Sequence, residues 1–363
     1  MDEQQVYTGA GCVAGLPEYL RSRCGTDGPV LLVHGRHSWG ASGAAALFTE
    51  GVAAQLNLHH FDQVTPNPEH TTVALAAEVY RQVQPRAVVA LGGGSVIDTA
   101  KGMLAMVAGG DIGDVLANRF SLPQDAPVFV AVPTTAGSGS EATHFAVLYR
   151  DHVKYSLANP GLLPQAVWLD PDLLASCPRP LALASAADAI CQCVESWWNV
   201  NATDESRDIA RQGLELLLPL DIDARERTLL GAHKAGQAIN LTKTTAGHAL
   251  SYGLTTTLGI PHGLAVLAVM QVLVQDTPVP ELDTLFSAYG TPFTRGFREF
   301  SQRIWRDVPL APAFAGTTED DVAALWHTVN VERLQNHPQP LAADQIEKIY
   351  RTVHSLHAEG THQ

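Results

Sequence analysis

The 363-residue chain predicts an α/β domain built on a parallel sheet over residues 1–177, followed by an all-helical domain over residues 178–363. Three observations carry this. Short runs rich in Val and Ala (30–33, 87–91, 128–132) recur in the first half, with helical stretches such as 71–82 between them. Runs of that length, bounded by Gly or Pro, are how strands buried on both faces read. Two loops rich in Gly and small hydroxyl residues directly follow two of those runs. From Pro178 onward the periodicity turns helical, over 181–198, 206–218, 224–241 and 263–273, with two more helical segments between Thr317 and His357. Pro178-Arg179-Pro180 is expected to form the hinge, since prolines interrupt helices and stiffen linkers.

Composition narrows the function classes. At 46% hydrophobic residues the chain can bury sizeable cores, and its length suits two domains. No uncharged apolar run approaches the roughly 18 residues of a membrane-spanning helix. The start, Met1-Asp2-Glu3-Gln4-Gln5, is acidic and polar, unlike a secretory signal. A formal charge of −14 argues against nucleic acid or an anionic membrane as partner, while leaving room for a small anion in a basic pocket. The five cysteines (Cys12, Cys24, Cys177, Cys191, Cys193) are odd in number and match neither a zinc ribbon nor a Cys-x-x-Cys motif. They read as free, mostly buried thiols in a reducing, cytoplasmic setting.

The first site signal is Leu91-Gly92-Gly93-Gly94-Ser95-Val96-Ile97-Asp98-Thr99-Ala100-Lys101. Glycines let backbone approach phosphate oxygens, and the following helix aims its amides and dipole at them. The pattern is neither a Walker loop nor Gly-x-Gly-x-x-Gly, and taken alone it also fits a tight turn without a ligand. Asp98 is either a ligand contact or an early-helix acid complementing the dipole. The second signal is Pro133-Thr134-Thr135-Ala136-Gly137-Ser138-Gly139-Ser140-Glu141, suited to ribose or phosphate hydrogen bonds. Two such loops at the carboxyl ends of strands in one sheet point to a nucleotide cleft.

A metal signal follows in the second half. Asp188 and Gln192 lie four apart, on one helix face. His248 and His262 follow further on, and one carboxylate with two imidazoles suits a divalent transition metal. Without further context the two histidines would read as core residues.

The two loops resemble those of the iron-containing (group III) alcohol dehydrogenases, and the likeness covers nearly the whole chain, with the motifs in the family's order. The resemblance implies a dehydroquinate synthase-like architecture, in which a dinucleotide-binding α/β domain precedes a helical metal-binding domain. It implies that Gly93, Gly94, Ser95 and Asp98 hold the pyrophosphate and its neighbours. Thr134, Thr135 and Ser138 would line the cleft, with Lys154 nearby and Asn67 in a cofactor-contacting turn. Where NAD-preferring members carry Asp after the first strand, this chain has Gly35 followed by Arg36, which favours NADPH over NADH as cofactor. Asp188, His248 and His262 match the metal ligands, and Gln192 stands where a further His is usual. Its neutral amide oxygen binds first-row metals more weakly than imidazole, which loosens the case for iron; the family implies Fe2+, with Zn2+ the alternative. Tyr252 occupies the place of a proton-relay His in many members; with a reference pKa of about 10 it is the poorer shuttle. A homodimer is the family-level expectation.

Within that family the chain resembles the phosphonoacetaldehyde reductase branch, through residues 141–147, 154–157, 188–192, 242–246 and 248–252. Gln192 belongs to that branch, whereas Gly247 stands where Pro is expected. The branch implies reduction of phosphonoacetaldehyde to 2-hydroxyethylphosphonate in phosphonate natural-product biosynthesis. A metal would polarise the aldehyde oxygen and NADPH would deliver hydride. Lys243 is the first candidate anchor for the phosphonate dianion, with His144 and Lys154 next; the alternative for Lys243 is a solvated helix-end cation. Other readings are a reductase of another short aldehyde, alcohol or keto-phosphonate, a dehydroquinate synthase-like lyase, or a catalytically weak binding protein.

Overall fold

The computed structural model describes residues 4–49, 53–151, 153–329 and 331–358, the side chains of 331 and 332 excepted. The acidic start at residues 1–3 lies outside them. The chain divides into two compact units, Met1–Cys177 and Pro178–Gln363.

In unit 1 the strands are β1 (Gln5–Thr8), β2 (Val30–His34), β3 (Leu58–Phe61), β4 (Ala87–Gly92), β5 (Val128–Pro133), β6 (Phe145–Arg150), β7 (Val153–Ala158) and β8 (Ala166–Leu169). Six of them form a parallel sheet in the order β1-β8-β5-β4-β2-β3, and β6 and β7 form a separate antiparallel hairpin. The helices are α1 (Leu16–Cys24), α2 (Arg36–Ala41), α3 (His70–Val83), α4 (Gly94–Gly109) and α5 (Ile112–Leu116). Every residue of β2 and β4 is buried, which is why both read as continuous apolar runs. One side of the sheet builds its core from Val30, Leu32, Val89, Val130 and Trp168, closed over by Leu16 and Leu20 of α1. Strands β1 and β3 lie outside the predicted set: Gln5–Thr8 is exposed throughout and Leu58–Phe61 carries two histidines, so neither shows a strand's hydrophobic signal.

Register places the two predicted loops together. β4 pairs with β5 from Ala87↔Val128 to Gly92↔Pro133, so the Gly-rich and Thr-Ser loops leave the sheet side by side. The chain departs from β2 toward β3 on one side and from β4 toward β5 on the other. β2 and β4 therefore flank the topological switch point, where open α/β sheets bind ligands.

Unit 2 is helical: α6 (Arg179–Trp198), α7 (Asp204–Leu217), α8 (Arg225–Thr242), α9 (Ala246–Leu258), α10 (His262–Asp276), α11 (Phe293–Asp307), α12 (Ala311–Phe314), α13 (Glu319–Ala323), α14 (Val331–Leu334) and α15 (Ala343–Ala358). The Ala-rich α6 is buried along most of its length, as a helix apolar on nearly all faces must be. Of the Pro-Arg-Pro segment, Pro178 is the N-cap of α6 at the division between the units, and Arg179 and Pro180 form the first turn, where proline's missing N–H has no helical partner to lose. α9 escapes prediction because two glycines and three consecutive threonines dilute its pattern. Its C-terminal neighbour α15 braces it through Tyr350, whose hydroxyl donates to the Leu250 carbonyl at 2.7 Å.

Among the described residues no helix is long and apolar enough to cross a membrane. All five cysteines are free, and burial pushes the Cys191 thiol well above its ordinary pKa. Cys191 and Cys193 thus behave as packing groups within α6.

Candidate functional site

In unit 1, α4 begins at Gly93 with no side chain capping its amides. A Cβ on Gly93 would lie 3.1 Å from Thr135 Oγ1, and one on Gly94 would lie 2.6 Å from Ser138 Oγ. Lacking those carbons, the loop brings its backbone up to the hydroxyls of the second loop. Thr134 is buried and its amide donates to the Gly92 carbonyl at 3.1 Å. Gly93, Gly94, Ser95, Thr134, Thr135 and Ser138 are thus gathered at one uncapped helix N-terminus. That is a cradle suited to a pyrophosphate, so the residues present fit a dinucleotide.

Asp98 joins the second loop and the hairpin to α4. Its Oδ1 accepts from Ser140 Oγ at 2.6 Å and its Oδ2 accepts from the Val147 amide at 3.1 Å, tying α4 to the Thr-Ser loop and to β6. Asp98, which the resemblance implies to lie against the pyrophosphate and its neighbours, thus has both carboxylate oxygens hydrogen-bonded within unit 1. Burial raises its pKa, with Lys101 and the Ser140 hydrogen bond pulling the other way. Lys154, on β7, contributes to the same field around Asp98. His144 lies at the mouth of β6 with its ring 4.1 Å from that of Phe145.

Lys101 completes this network, and the sequence showed it only as the end of the Gly-rich motif. It is fully buried, and its ammonium donates to the carbonyls of Ser140 (2.6 Å), Thr143 (2.7 Å) and Phe145 (2.7 Å). Three protons meet three carbonyls. Burial lowers its pKa to about 8, against the pull of Asp98 and Glu141. Lys101→Met is expected to destabilise unit 1 by about 3–5 kcal/mol, because the carbonyls and Asp98 lose their buried counter-charge; urea unfolding measures it. The sign with pH follows from the depressed value. The unfolded chain holds the Lys101 proton up to about 10.5 while the native chain releases it near 8. The wild-type stability relative to Lys101→Met therefore rises as pH goes from 8 toward 10.5.

At the switch point, Gly35 caps the start of α2, and a Cβ there would lie 2.8 Å from Ser38 Oγ. Arg36 is not the unopposed cation that the sequence suggested. Its Nε donates to Asp62 Oδ2 at 3.2 Å, because the β2–β3 register sets Asp62, just after β3, near the exit of β2, two residues before Arg36. Asn67 is exposed and takes a left-handed conformation (φ 53°), which Asn tolerates better than most residues.

In unit 2 three helices converge. Asp188 lies midway along α6, His248 in the first turn of α9, and His262 at the start of α10. Asp188 Oδ1 and His248 Nε2 are 3.1 Å apart, and the two imidazole rings are 5.3 Å apart. One ligand atom from each of the three residues lies within 4.8 Å of the others. Metal–ligand bonds of about 2.0–2.2 Å let a single divalent ion draw them together. A carboxylate with two imidazoles fits such an ion by chemistry as well as by spacing.

Close helix contact makes this convergence possible. A Cβ on Gly263 would lie 2.0 Å from the Ala184 carbonyl oxygen and 2.9 Å from Asp188 Cβ. Glycine after His262 thus lets α10 press on α6 one turn before Asp188.

In unit 2, sequence reasoning missed Glu195. Fully buried on α6, its Oε2 accepts a hydrogen bond from His248 Nδ1 while its Oε1 accepts from the Thr245 amide (3.0 Å), Thr245 Oγ1 (2.8 Å) and the His248 amide (3.1 Å). Burial opposes its ionisation, but His248 and these donors outweigh that and lower its pKa. Burial likewise opposes charging His248, yet the carboxylates of Glu195 and Asp188 raise its pKa to about 10. With Nδ1 committed to Glu195, Nε2 is the nitrogen turned toward Asp188, which is the arrangement of a metal-ligating histidine and its carboxylate partner. A lone acid seven residues after Asp188, in an otherwise apolar helix, was the available signal.

Gln192 is buried on α6 one turn beyond Asp188. Tyr252, one turn after His248, is buried and stacks on His262 with 6.4 Å between ring centroids. Gly247, where Pro was expected, faces Met270: a Cβ would come within 2.5 Å of its Sδ, so the methionine fills that room. Lys243 ends α8, exposed, at φ 65° and ψ 179°.

Two family profiles match the chain: iron-containing alcohol dehydrogenase over residues 3–171, and the Fe-containing alcohol dehydrogenase family, C-terminal, over residues 182–276. Phosphonoacetaldehyde reductase of Streptomyces viridochromogenes is 38% identical over 224 residues, 57% of this chain and 56% of that protein. The 1,3-propanediol dehydrogenase of Citrobacter freundii is 33% identical over 217 residues, 56% of each chain. The aligned region spans little more than half the length of these relatives. Among solved structures, sulfoacetaldehyde reductase from Bifidobacterium kashiwanohense in complex with NAD+ has a TM-score of 0.85 at 23% identity, over 98% of both chains. A 1,3-propanediol oxidoreductase has a TM-score of 0.84 at 23% identity, over 97% of this chain and 100% of that one. The structural likeness speaks to the fold and the profiles to the family. With a nucleotide cradle in one unit and a carboxylate–imidazole cluster in the other, the chain belongs to the iron-containing alcohol dehydrogenase family.

Proposed function

We propose that the chain is a metal-dependent, NAD(P)H-linked aldehyde reductase that converts phosphonoacetaldehyde to 2-hydroxyethylphosphonate. A divalent ion (Fe2+ first, Zn2+ otherwise) would supply Lewis acidity toward the aldehyde oxygen, and NADPH or NADH would supply the hydride. Asp188, His248 and His262 would hold the ion, with Gln192 beside them. Glu195 keeps His248 in the tautomer that presents Nε2. Tyr252 is assigned the proton delivered to the product oxygen, since a phenol keeps its proton at neutral pH and so suits the reductive direction.

One observation carries the anionic substrate. Lys243 adopts a backbone conformation at φ 65° and ψ 179° that is essentially reserved for glycine, at a cost of about 1–3 kcal/mol. Among the described residues, its exposed ammonium makes no hydrogen bond or ion pair that would explain retaining it. A cation kept at such a cost, five residues before His248, supports a role in holding a ligand's negative charge. The relative that reduces phosphonoacetaldehyde names a substrate of that kind.

The test is steady-state NADPH oxidation with phosphonoacetaldehyde, sulfoacetaldehyde and acetaldehyde. Phosphonoacetaldehyde is expected to have the highest kcat/KM; a preference for acetaldehyde sinks the phosphonate assignment. Lys243→Gly should raise stability by about 1 kcal/mol as strain is released. It should also raise KM for phosphonoacetaldehyde roughly 10–100-fold, the worth of a charge-assisted contact, leaving KM for acetaldehyde near wild type. Equal rises in both KM values would make Lys243 structural.

A further inference from the structure

Unit 1 carries an ion pair that a nucleotide cradle does not by itself require. Arg36 and Asp62 leave the carboxyl ends of adjacent strands, β2 and β3, and the bridge between Gly35 and Gln63 holds those exits together. The pair also stands beside the cradle. A Cβ on Gly35 would lie 3.9 Å from Val96 Cγ2, in the first turn of α4. A carboxylate and a guanidinium, 3.2 Å apart, thus sit where the strand order reverses and next to the helix that would receive a pyrophosphate.

We propose that Asp62 sets the choice between the two nicotinamide dinucleotides. It restrains Arg36 against a 2′-phosphate and offers the ribose hydroxyls of NADH the carboxylate acceptor that position 35 lacks. This rests on unit 1 binding a dinucleotide and is independent of the aldehyde. Both side chains are open to solvent, at 72% and 45% exposure, so their mutual attraction is weak. A 2′-phosphate dianion presents several acceptor oxygens to the planar guanidinium fork and can take it from a single carboxylate. Unphosphorylated ribose hydroxyls donate as well as accept, and for the donated proton they need an acceptor, which Arg36 cannot be. The pair therefore accommodates either nucleotide, with the Asp62 charge tilting the balance toward NADH.

The experiment measures binding without any aldehyde, by fluorescence titration of the full chain with NADH and NADPH and by calorimetry with ADP and adenosine 2′,5′-bisphosphate. In Asp62→Asn, NADPH and the bisphosphate should bind roughly tenfold tighter and NADH several-fold weaker, the size of one charge-assisted hydrogen bond. Arg36→Ala should weaken NADPH and the bisphosphate roughly tenfold and leave NADH within about threefold. If Asp62→Asn shifts NADH and NADPH by the same factor, or shifts neither, the pair is a surface contact and the proposal is overturned. Wild-type protein that binds neither nucleotide would overturn the dinucleotide reading of unit 1 and the proposal together.

Discussion

Replacing Glu195 with Gln is expected to weaken metal binding by roughly 10–100-fold in a chain that still folds. The argument is one of donors and acceptors. The carboxylate accepts four hydrogen bonds, one from His248 Nδ1 on Oε2 and three on Oε1. An amide of the same shape has one acceptor and one donor end. With its NH2 toward His248, Nδ1 must become the acceptor and the proton moves to Nε2, the atom that faces Asp188. With its NH2 toward Oε1's partners, it confronts the amides of Thr245 and His248, donor against donor. Either orientation also removes the buried counter-charge, so stability should fall by about 3 kcal/mol. Competition between the apo-protein and a chromophoric chelator for Zn(II) reads the affinity, and urea unfolding reads the stability. A variant that is less stable yet binds Zn(II) as tightly as wild type would reduce Glu195 to a packing group.

Gly263→Ala should be the most damaging single methyl in unit 2. The added carbon would stand 2.0 Å from the Ala184 carbonyl oxygen, against backbone rather than the yielding end of a side chain. Helices α6 and α10 would have to separate by about 1 Å or more, taking His262 away from Asp188. Overpacking typically costs about 1–3 kcal/mol, and rigid backbone puts this case at the upper end or beyond. For a unit of this size, about 3 kcal/mol corresponds to a Tm lower by roughly 6–12 °C, together with reduced Zn(II) uptake. Gly259→Ala is the control. Its φ of 67° strains any side chain, but no atom lies within 4 Å of the new carbon, so it should cost only about 1 kcal/mol. If Gly263→Ala melts with the wild type, the close approach of α6 and α10 is not what positions His262.

The fold class, the three central strands and the helical second half were legible because burial on both faces writes itself as continuous Val and Ala runs, and amphipathic helices as a period near 3.6. The edge strand β1 and the histidine-bearing β3 left no such mark. Asp188, His248 and His262 could be named from their motifs, yet they lie 60 and 14 residues apart along the chain, and only helix packing makes them a cluster. Glu195, Lys101 and Asp62 left no signal of their partners in the sequence for a common reason. Each acts through a partner brought to it by tertiary contact: Glu195 through His248, Lys101 through the carbonyls of residues 140–145, Asp62 through Arg36.

Residue types and local spacing thus determined by themselves the α/β-then-helical fold class and the Gly-rich loop at a strand's end, while the Asp–His set stood out only through the family resemblance. Which groups those residues meet was decided by the tertiary structure alone. Sequence carries backbone preference and hydrophobic period, both local quantities. The orientation of a buried carboxylate or ammonium is set by donors and acceptors that can lie far away along the chain, and those become neighbours only when the chain is packed.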